Sequence, residues 1–249
     1  MTGVMLVTGG SRGIGAATAR LAAERGWDVA IAYRRDGPAA LGVAEAVRAA
    51  GRRALAVQAD MAQEADIVRM FAAVDAEFGR IDAVVANAGT SGGRRRHLEA
   101  AVAADINALL AVNVTGVILC AREAIRRMST RHGGKGGSIV VVGSLAARVG
   151  APGLWVDYAA SKGALDAFTI GAAQELAGEG IRVNCVRPGL IDTEIHVAAG
   201  LPDRVEKAKT QIPMRRAGDA VEVADAILWL ASPGASYVAG AIVDVGGGR

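Results

Sequence analysis

The stretch Val4-Met5-Leu6-Val7-Thr8-Gly9-Gly10-Ser11-Arg12-Gly13-Ile14-Gly15, followed by the helix-forming run from Ala16 to Arg25, decides the fold. A short apolar run leads into a glycine turn, and the turn opens a helix. Such a turn brings bare backbone N–H groups and a helix N-terminus up to a phosphate, because glycine has no side chain to block the approach. Gly9, Gly13 and Gly15 follow a Gly-x-x-x-Gly-x-Gly spacing rather than Gly-x-Gly-x-x-Gly. Glycines also serve strand-to-helix turns for steric reasons alone. At the first turn of an alternating strand–helix pattern we read the segment as phosphate-binding, through Gly9, Ser11, Arg12, Gly13, Ile14 and Gly15.

The alternation continues along the chain. Strands are predicted near residues 4–8, 28–33, 53–58, 82–86, 137–142, 181–187 and 241–245, and helices near 14–25, 38–50, 63–78, 98–131, 157–178 and 219–231. The strands are continuous apolar runs, such as Ile139-Val140-Val141-Val142, which fits strands covered on both faces of a parallel sheet. The fold class is therefore α/β: a doubly wound parallel sheet of about seven strands with helices on both faces. No linker, low-complexity tract or internal repeat divides residues 1–249, so one domain is expected. Residues 191–214 break the alternation with charges and with Gly200, Pro202 and Pro213, and loops of that length in compact domains commonly serve as lids.

Tyr158-Ala159-Ala160-Ser161-Lys162 puts a phenol and an ammonium four residues apart in a predicted helix, so both side chains point the same way. A phenol with its reference pKa near ~10 is a poor acid–base catalyst at neutral pH. A fixed cation beside it stabilises the phenolate, and the pair then exchanges a proton with a carbonyl or alcohol oxygen. The plain alternative is a surface helix with a snorkelling lysine. Ser144 ends the fifth predicted strand, at the carboxyl-end crevice where open α/β sheets bind ligands. Its hydroxyl is placed to hydrogen-bond a substrate oxygen as charge develops there. No His–Asp pair stands beside it, and no Gly-x-Ser-x-Gly elbow is present, which argues against a hydrolase.

Composition narrows the function classes. Hydrophobic residues make up 52% of the 249 and aromatics only 4%, so Ala, Val, Leu and Ile fill the core. The net charge of +3, with no basic stretch interleaved with aromatics, gives no reason to expect nucleic acid. Cys120 and Cys185 lie in apolar surroundings and read as buried packing residues. His97, His132 and His196 show no metal-ligand spacing, and no metal is expected. The N-terminus enters a strand almost at once, with neither a signal-peptide core nor an apolar run able to span a bilayer. The expectation is a cytoplasmic protein with no membrane partner.

Thr8 to Gly15, Asn87-Ala88-Gly89, Asn113, Ser144, Tyr158, Lys162 and Pro188-Gly189 stand in the order and approximate spacing of the short-chain dehydrogenases/reductases. The resemblance spans essentially the whole chain and is closest to the single-domain branch that includes 3-oxoacyl-carrier-protein reductases and bacterial glucose 1-dehydrogenases. It implies a Rossmann-like fold and an oxidoreductase moving a hydride between a nicotinamide and a carbonyl or alcohol. In that role Tyr158 is the acid–base group, with Asn113, Ser144 and Lys162 completing the catalytic set. Asn113 lies in an otherwise apolar helix, where Asn is costly to bury without partners. The resemblance implies a local kink there, whose backbone carbonyl holds a water beside Lys162; a satisfied internal hydrogen bond is the structural alternative. Asp60 and Met61 are implied at the adenine, with Asp60 as helix N-cap a compatible role. Asn87, Ala88 and Gly89 are implied to pass close to the cofactor. Pro188, Gly189, Ile191 and Thr193 are implied to meet the nicotinamide end, and Tyr158 and Lys162 also touch the cofactor. Ser144 and Tyr158 are fourteen apart, one more than the usual family spacing, so the loop between them departs from the pattern.

Cofactor choice follows from charge. An acidic residue at the end of the second strand grips ribose hydroxyls and repels a 2′-phosphate. Tyr33 occupies that place here, followed by Arg34 and Arg35, with Arg12 in the glycine turn. Guanidinium groups without a carboxylate favour NADP(H) over NAD(H); the alternative makes Arg34 and Arg35 solvated charges partnered by Asp36. Leu154, Trp155, Leu190 and His196 are candidate substrate-pocket residues. Arg94-Arg95-Arg96 reads as a solvated charge run, with attraction of an acidic substrate as the alternative. The resemblance implies a homotetramer built on the long helices and the last strand. A second function class is a non-catalytic NADP-binding sensor or scaffold, and the intact Asn-Ser-Tyr-Lys set argues against it.

Overall fold

Consecutive residues of β1, Val4–Thr8, are all buried, and they feed two different cores. Leu6 joins the cluster on one face of the sheet, while Met5 and Val7 join the cluster on the other. The same division holds in β5, Gly137–Val142, where Ile139 and Val141 face one way and Val140 and Val142 the other. A strand's side chains alternate, so a continuous apolar run forces helical layers on both sides. This is a computed structural model, and it describes residues 3–93, 97–193 and 209–249.

The remaining strands are β2 (Asp28–Tyr33), β3 (Ala54–Gln58), β4 (Ala83–Ala86), β6 (Ile181–Pro188) and β7 (Ile242–Val245). All pair in parallel, in the order β3-β2-β1-β4-β5-β6-β7. The helices are α1 (Gly13–Glu24), α2 (Gly37–Ala49), α3 (Glu64–Phe78), α4 (Ala103–Leu110), α5 (Gly116–Met128), α6 (Ala146–Val149), α7 (Val156–Leu176) and α8 (Ala220–Ala231). One core holds Phe71 of α3, Cys120 of α5 and Leu165 of α7; the other holds Ala22 of α1, Val47 of α2 and Ile227 of α8. The predicted class and strand count are those observed.

Strand order reverses between β1 and β4, and parallel sheets open a ligand crevice at the carboxyl ends beside such a switch point. Thr8 and Asn87 lock the two strand ends together. The buried Thr8 hydroxyl accepts from the backbone N–H groups of Asn87 and Ala88, both at 3.0 Å, and donates to the Val85 carbonyl. Asn87 Nδ2 in turn donates to the Thr8 carbonyl at 2.8 Å and the Gly9 carbonyl at 3.2 Å.

One expectation needs correction. The helix predicted over 98–131 is broken: a 3₁₀ turn at Leu98–Ala100, an extended Ala101–Val102, then α4, a π-helical turn at Ala111–Thr115, and α5. Ser129 turns extended and ends it, its hydroxyl accepting from the Arg131 N–H. α6 carried no sequence signal, being four residues without a side-chain cap. Ala103–Met128 taken together is also long and apolar enough to cross a membrane by length and composition. Its exposed residues mix Ile118, 43% exposed, with Asp105, Asn107 and Thr115, while Val117, Cys120 and Ala124 pack on the sheet. Its charged end is tied to α3 through Arg122–Glu64 and Arg127–Asp75, each at 2.7 Å.

Thr8→Val keeps the side chain's shape but leaves two N–H groups without their acceptor. We expect a loss of about 2–4 kcal/mol in urea unfolding, with Thr8→Ser retaining most of the stability. A loss below about 1 kcal/mol for Thr8→Val would show that the hydroxyl does not join the strands.

Candidate active site

Four elements converge where β1, β4 and β5 end. The glycine turn closes the first. Gly9 and Gly13 have φ of +64° and +53°, values that L side chains rarely adopt. A Cβ on Gly15 would sit 2.6 Å from Asn87 Nδ2, so only glycine lets α1 start this close to the β4 end. Arg12 is the N-cap of α1 and its side chain makes no capping bond, which leaves the first-turn N–H groups for an external acceptor. Thr193 stands over the same turn, its methyl 3.4 Å from where a Gly13 Cβ would lie.

The second element is the π-turn. Asn113 is fully buried at its centre, and every polar atom of its side chain is used. Oδ1 accepts from the Thr90 N–H at 2.8 Å, and Nδ2 donates to the Thr90 carbonyl at 2.8 Å and to Ser161 Oγ at 3.0 Å. Ser161 then donates to the Tyr158 carbonyl at 2.7 Å. Asn113 thus joins the loop after β4 to the second turn of α7. The side chain is a satisfied internal anchor, and the helix is locally irregular, with the Gly116 N–H reaching back five residues to the Ala111 carbonyl.

The third and fourth elements are the end of β5 and the start of α7. Ser144 Oγ accepts from the Ala146 N–H at 3.1 Å, which orients the hydroxyl and leaves its proton to be donated elsewhere. Lys162 is buried, and its ammonium donates to the Val142 carbonyl at 2.7 Å. The same nitrogen lies 5.8 Å from the centre of the Tyr158 ring. Burial pushes the Lys162 pKa down to about 8, against the pull of Cys185 and Asp166, which favour the charged form. Trp155 meets the half-buried Tyr158 edge-on, with ring centres 6.3 Å apart. Gly89 passes close to both Asn113 and Lys162, as a Cβ there would lie 3.4 Å and 3.5 Å from their polar atoms.

The other predicted residues fall around this centre. Ala88 N–H is held by Thr8. Gly189 N–H donates to the Val245 carbonyl, the Pro188 carbonyl accepts from Leu145 and the Leu190 carbonyl accepts from Gly218. Ile191 bridges to Gly218. Asp60 is not the N-cap of α3, a place taken by Gln63; its carboxylate accepts instead from the Ala62 N–H in the turn before the helix. Met61 is buried and its carbonyl abuts Gly116. Ser11 and Ile14 flank the turn, half-buried, and Leu154 lies half-buried before Trp155. His196, Arg94, Arg95 and Arg96 and most of the expected lid lie outside the described residues. Among the described residues no group of His, Cys, Asp and Glu is arranged to hold a metal ion.

Thr90, Ser161 and His97 were not among the residues expected from sequence. Ser161 had a signal, a hydroxyl three residues past Tyr158 in mid-helix, where such side chains bond back to the preceding turn. His97 stands at the rim of the loop before α7, 3.9 Å from where a Gly153 Cβ would lie.

The β2 end carries the remaining charges. Tyr33 closes the strand and packs beside Gly37. Arg34 and Arg35 are exposed, with no ion pair among the described residues, and Gln58 holds the Arg34 carbonyl at 2.9 Å. Asp36 is not their partner, since its carboxylate accepts from the Ala39 N–H at the start of α2.

A glycine cradle, an uncapped helix start and a buried lysine beside a tyrosine define a dinucleotide-binding oxidoreductase site. A family model described as enoyl-(acyl carrier protein) reductase matches residues 9–249. An uncharacterized oxidoreductase of Escherichia coli, YgfF, is 50% identical over 99% of both chains. Cis-4-hydroxycyclohexanecarboxylate dehydrogenase of Sinomonas cyclohexanicum is 42% identical over 98% of this chain and 95% of its own. A Burkholderia cenocepacia short-chain dehydrogenase solved in complex with NADP superposes with a TM-score of 0.90, at 36% identity over 98% of this chain and 96% of its own. A 3-ketoacyl-(acyl-carrier-protein) reductase of Brucella melitensis complexed with NADH gives 0.91, at 33% identity over 99% and 98%. The chain belongs to the short-chain dehydrogenase/reductase family and is an oxidoreductase that uses a nicotinamide cofactor.

The lowered lysine midpoint has a consequence for stability. The folded protein sheds the Lys162 proton near pH 8, whereas the unfolded chain keeps it to about 10.5. Between those values the unfolded chain binds more protons, so this group adds stability as pH rises and adds none below pH 8. Urea unfolding of wild type and Lys162→Met should therefore show wild type gaining on the variant between pH 7 and pH 10. A difference independent of pH would mean that the lysine is not held below its ordinary range.

Proposed function

We propose that the protein is an NADP(H)-dependent reductase or dehydrogenase of small carbonyl and alcohol substrates, with Tyr158 as its acid–base group. The observation that carries this is the Lys162 ammonium, buried at the strand ends, anchored to the Val142 carbonyl and 5.8 Å from the Tyr158 ring. Bound in the crevice, the nicotinamide cofactor supplies or accepts the hydride. The chain's own residues do the rest. The Ser144 hydroxyl, oriented by Ala146, donates to the substrate oxygen. Tyr158 delivers a proton to that oxygen in reduction and removes it in oxidation. Lys162 stabilises the phenolate and binds the cofactor's nicotinamide ribose. Asn113 keeps Thr90 and α7 in register, and the π-turn that it centres exposes backbone groups to a relay water. Leu154, Trp155 and Leu190 form the apolar side of the substrate space.

Preference for NADP rests on this chain's own charges. Arg34 follows Tyr33 at the end of β2 and Arg12 stands in the glycine turn, both exposed, and no carboxylate occupies the place of Tyr33. The related structures hold NADP in one case and NADH in another, so the choice turns on these residues. The Sinomonas relative is named for a ring alcohol, which supports a CH–OH substrate.

We also propose a cytoplasmic homotetramer. Buried unpaired Cys120 and Cys185 suit a reducing compartment. Ile118 of α5 and the fully exposed Tyr237 supply apolar surface for contacts between copies.

Two experiments test these readings. With a panel of ketones and NADPH, Tyr158→Phe should lose turnover by about 100-fold or more while binding nucleotide normally. Arg34→Ala should lower kcat/KM with NADPH by about tenfold and leave NADH nearly unaffected. Unchanged turnover in Tyr158→Phe would refute the catalytic assignment, and a wild type that binds NADPH without turning over any substrate would favour a sensor. Sedimentation should give the mass of four 25.3 kDa chains, and a monomer would refute the assembly.

A further inference from the structure

A row of charged side chains lies behind Tyr158 and Lys162, and the proposed reaction does not use it. Asp166 sits one turn beyond Lys162 on α7, on the same face of the helix. Its carboxylate accepts from Arg187 Nε at 3.0 Å and from the other arm of that guanidinium at 2.5 Å. Only 14% of the Asp166 side chain and 17% of the Arg187 side chain are exposed. Arg187, on β6, reaches Asp244 of β7 at 3.5 Å, and Asp244 accepts from Arg148 of α6 at 2.8 Å. Cys185 Sγ lies 4.0 Å from Asp166 Oδ1. A Cβ on Gly143 would stand 2.7 Å from that sulfur and 3.3 Å from Arg187 Cγ. The row therefore runs under the backbone that carries Ser144 and ties together α7, β6, β7 and α6.

Five segments surround Lys162. α7 offers Asp166 and the Tyr158 phenol, and β6 offers the Cys185 thiol. β5 offers the Val142 carbonyl, the loop after β4 offers Gly89, and the π-turn offers the Asn113 amide. Burial pushes the Cys185 thiol up to about 11, so it is uncharged at neutral pH. That leaves Asp166 as the carboxylate acting on a buried ammonium, which is costly to bury without an opposite charge.

We propose that Asp166 is a positioning residue for the acid–base pair: clamped by Arg187, its carboxylate keeps the buried Lys162 ammonium charged, and the Arg187–Asp244–Arg148 row fixes where that carboxylate stands. The inference rests on reading Lys162 as a member of that pair. It also assigns opposite effects to the two partners. Neutralising Asp166 weakens the hold on the lysine proton. Neutralising Arg187 leaves the carboxylate uncompensated and strengthens that hold. Loosened packing alone would not give two shifts of opposite sign.

The chain has four lysines, Lys135, Lys162, Lys207 and Lys209, so carbon-13 labelling at lysine Cε gives a spectrum simple enough to titrate, with Lys162→Met assigning the signal. Against the wild-type midpoint, Asp166→Asn should lower the Lys162 midpoint by roughly 1 pH unit, and Arg187→Gln should raise it. Asp166→Glu should restore it. The alkaline limb of kcat/KM should move with the midpoint in each variant. The double variant Asp166→Asn with Arg187→Gln leaves no unpaired charge between those two positions; it should fold and still titrate below wild type. A Lys162 midpoint unmoved in folded Asp166→Asn or in the double variant would overturn the proposal. Midpoints that move while the rate profile stays put would overturn the link to turnover and would place the fault in the acid–base reading of Lys162.

Discussion

The hydrogen bond from the Lys162 ammonium to the Val142 carbonyl is the constraint on which the rest of the site depends. A lysine is seldom buried, because the charge loses its water. Here the cost is offset by three features that the fold places together: a strand-end carbonyl, a tyrosine on the same helix face, and a carboxylate one turn on. They come from two regions of the architecture. Val142 ends the central strand β5, and Tyr158 and Asp166 ride on α7, which packs against the sheet beside it. The position of α7 relative to β5 is therefore a catalytic parameter as well as a packing one.

That position is set by polar anchors more than by apolar contacts. Alanine and leucine on the buried face of α7 would tolerate small slips, since apolar packing is non-directional. Asn113 does not tolerate them. It spans from Thr90 to Ser161 with every polar atom committed, and Ser161 is bonded to the Tyr158 backbone. Thr8 and Asn87 serve the same purpose a layer further back, pinning β1 to β4 where the dinucleotide is proposed to lie. The buried polar residues thus line up along one path from the glycine turn to the catalytic helix, and a directional network of this kind specifies one geometry.

Much of this was legible in the sequence because the signals were local. The glycine turn, the apolar strands and the Tyr158–Lys162 spacing each lie within a few residues, and periodicity alone gave the strand count. The polar path was less legible. Thr90 and Ser161 both act through Asn113, 23 and 48 residues away; the place of Ser161 in mid-helix announces its bond to the preceding turn, but neither neighbourhood points to Asn113. The long helix was misread for a related reason. Its apolar pattern continues through the π-turn, and the bonds from Asn113 that accompany that irregularity come from outside the helix. Asp36 and Asp60 show the limit from the other side: Asp36 could pair with the neighbouring arginines and Asp60 could cap α3, and the folded chain instead uses both to hold turns.

The most direct test is a crystal structure of the protein with oxidised NADP bound. The expected result is the Lys162 nitrogen in contact with the ribose of the nicotinamide half, the Tyr158 hydroxyl facing the space beside the nicotinamide ring, and Ser144 across that space from it. A complex with the nicotinamide ring elsewhere, or with the Tyr158 hydroxyl directed away from it and the lysine touching only Val142, would contradict this account of the site.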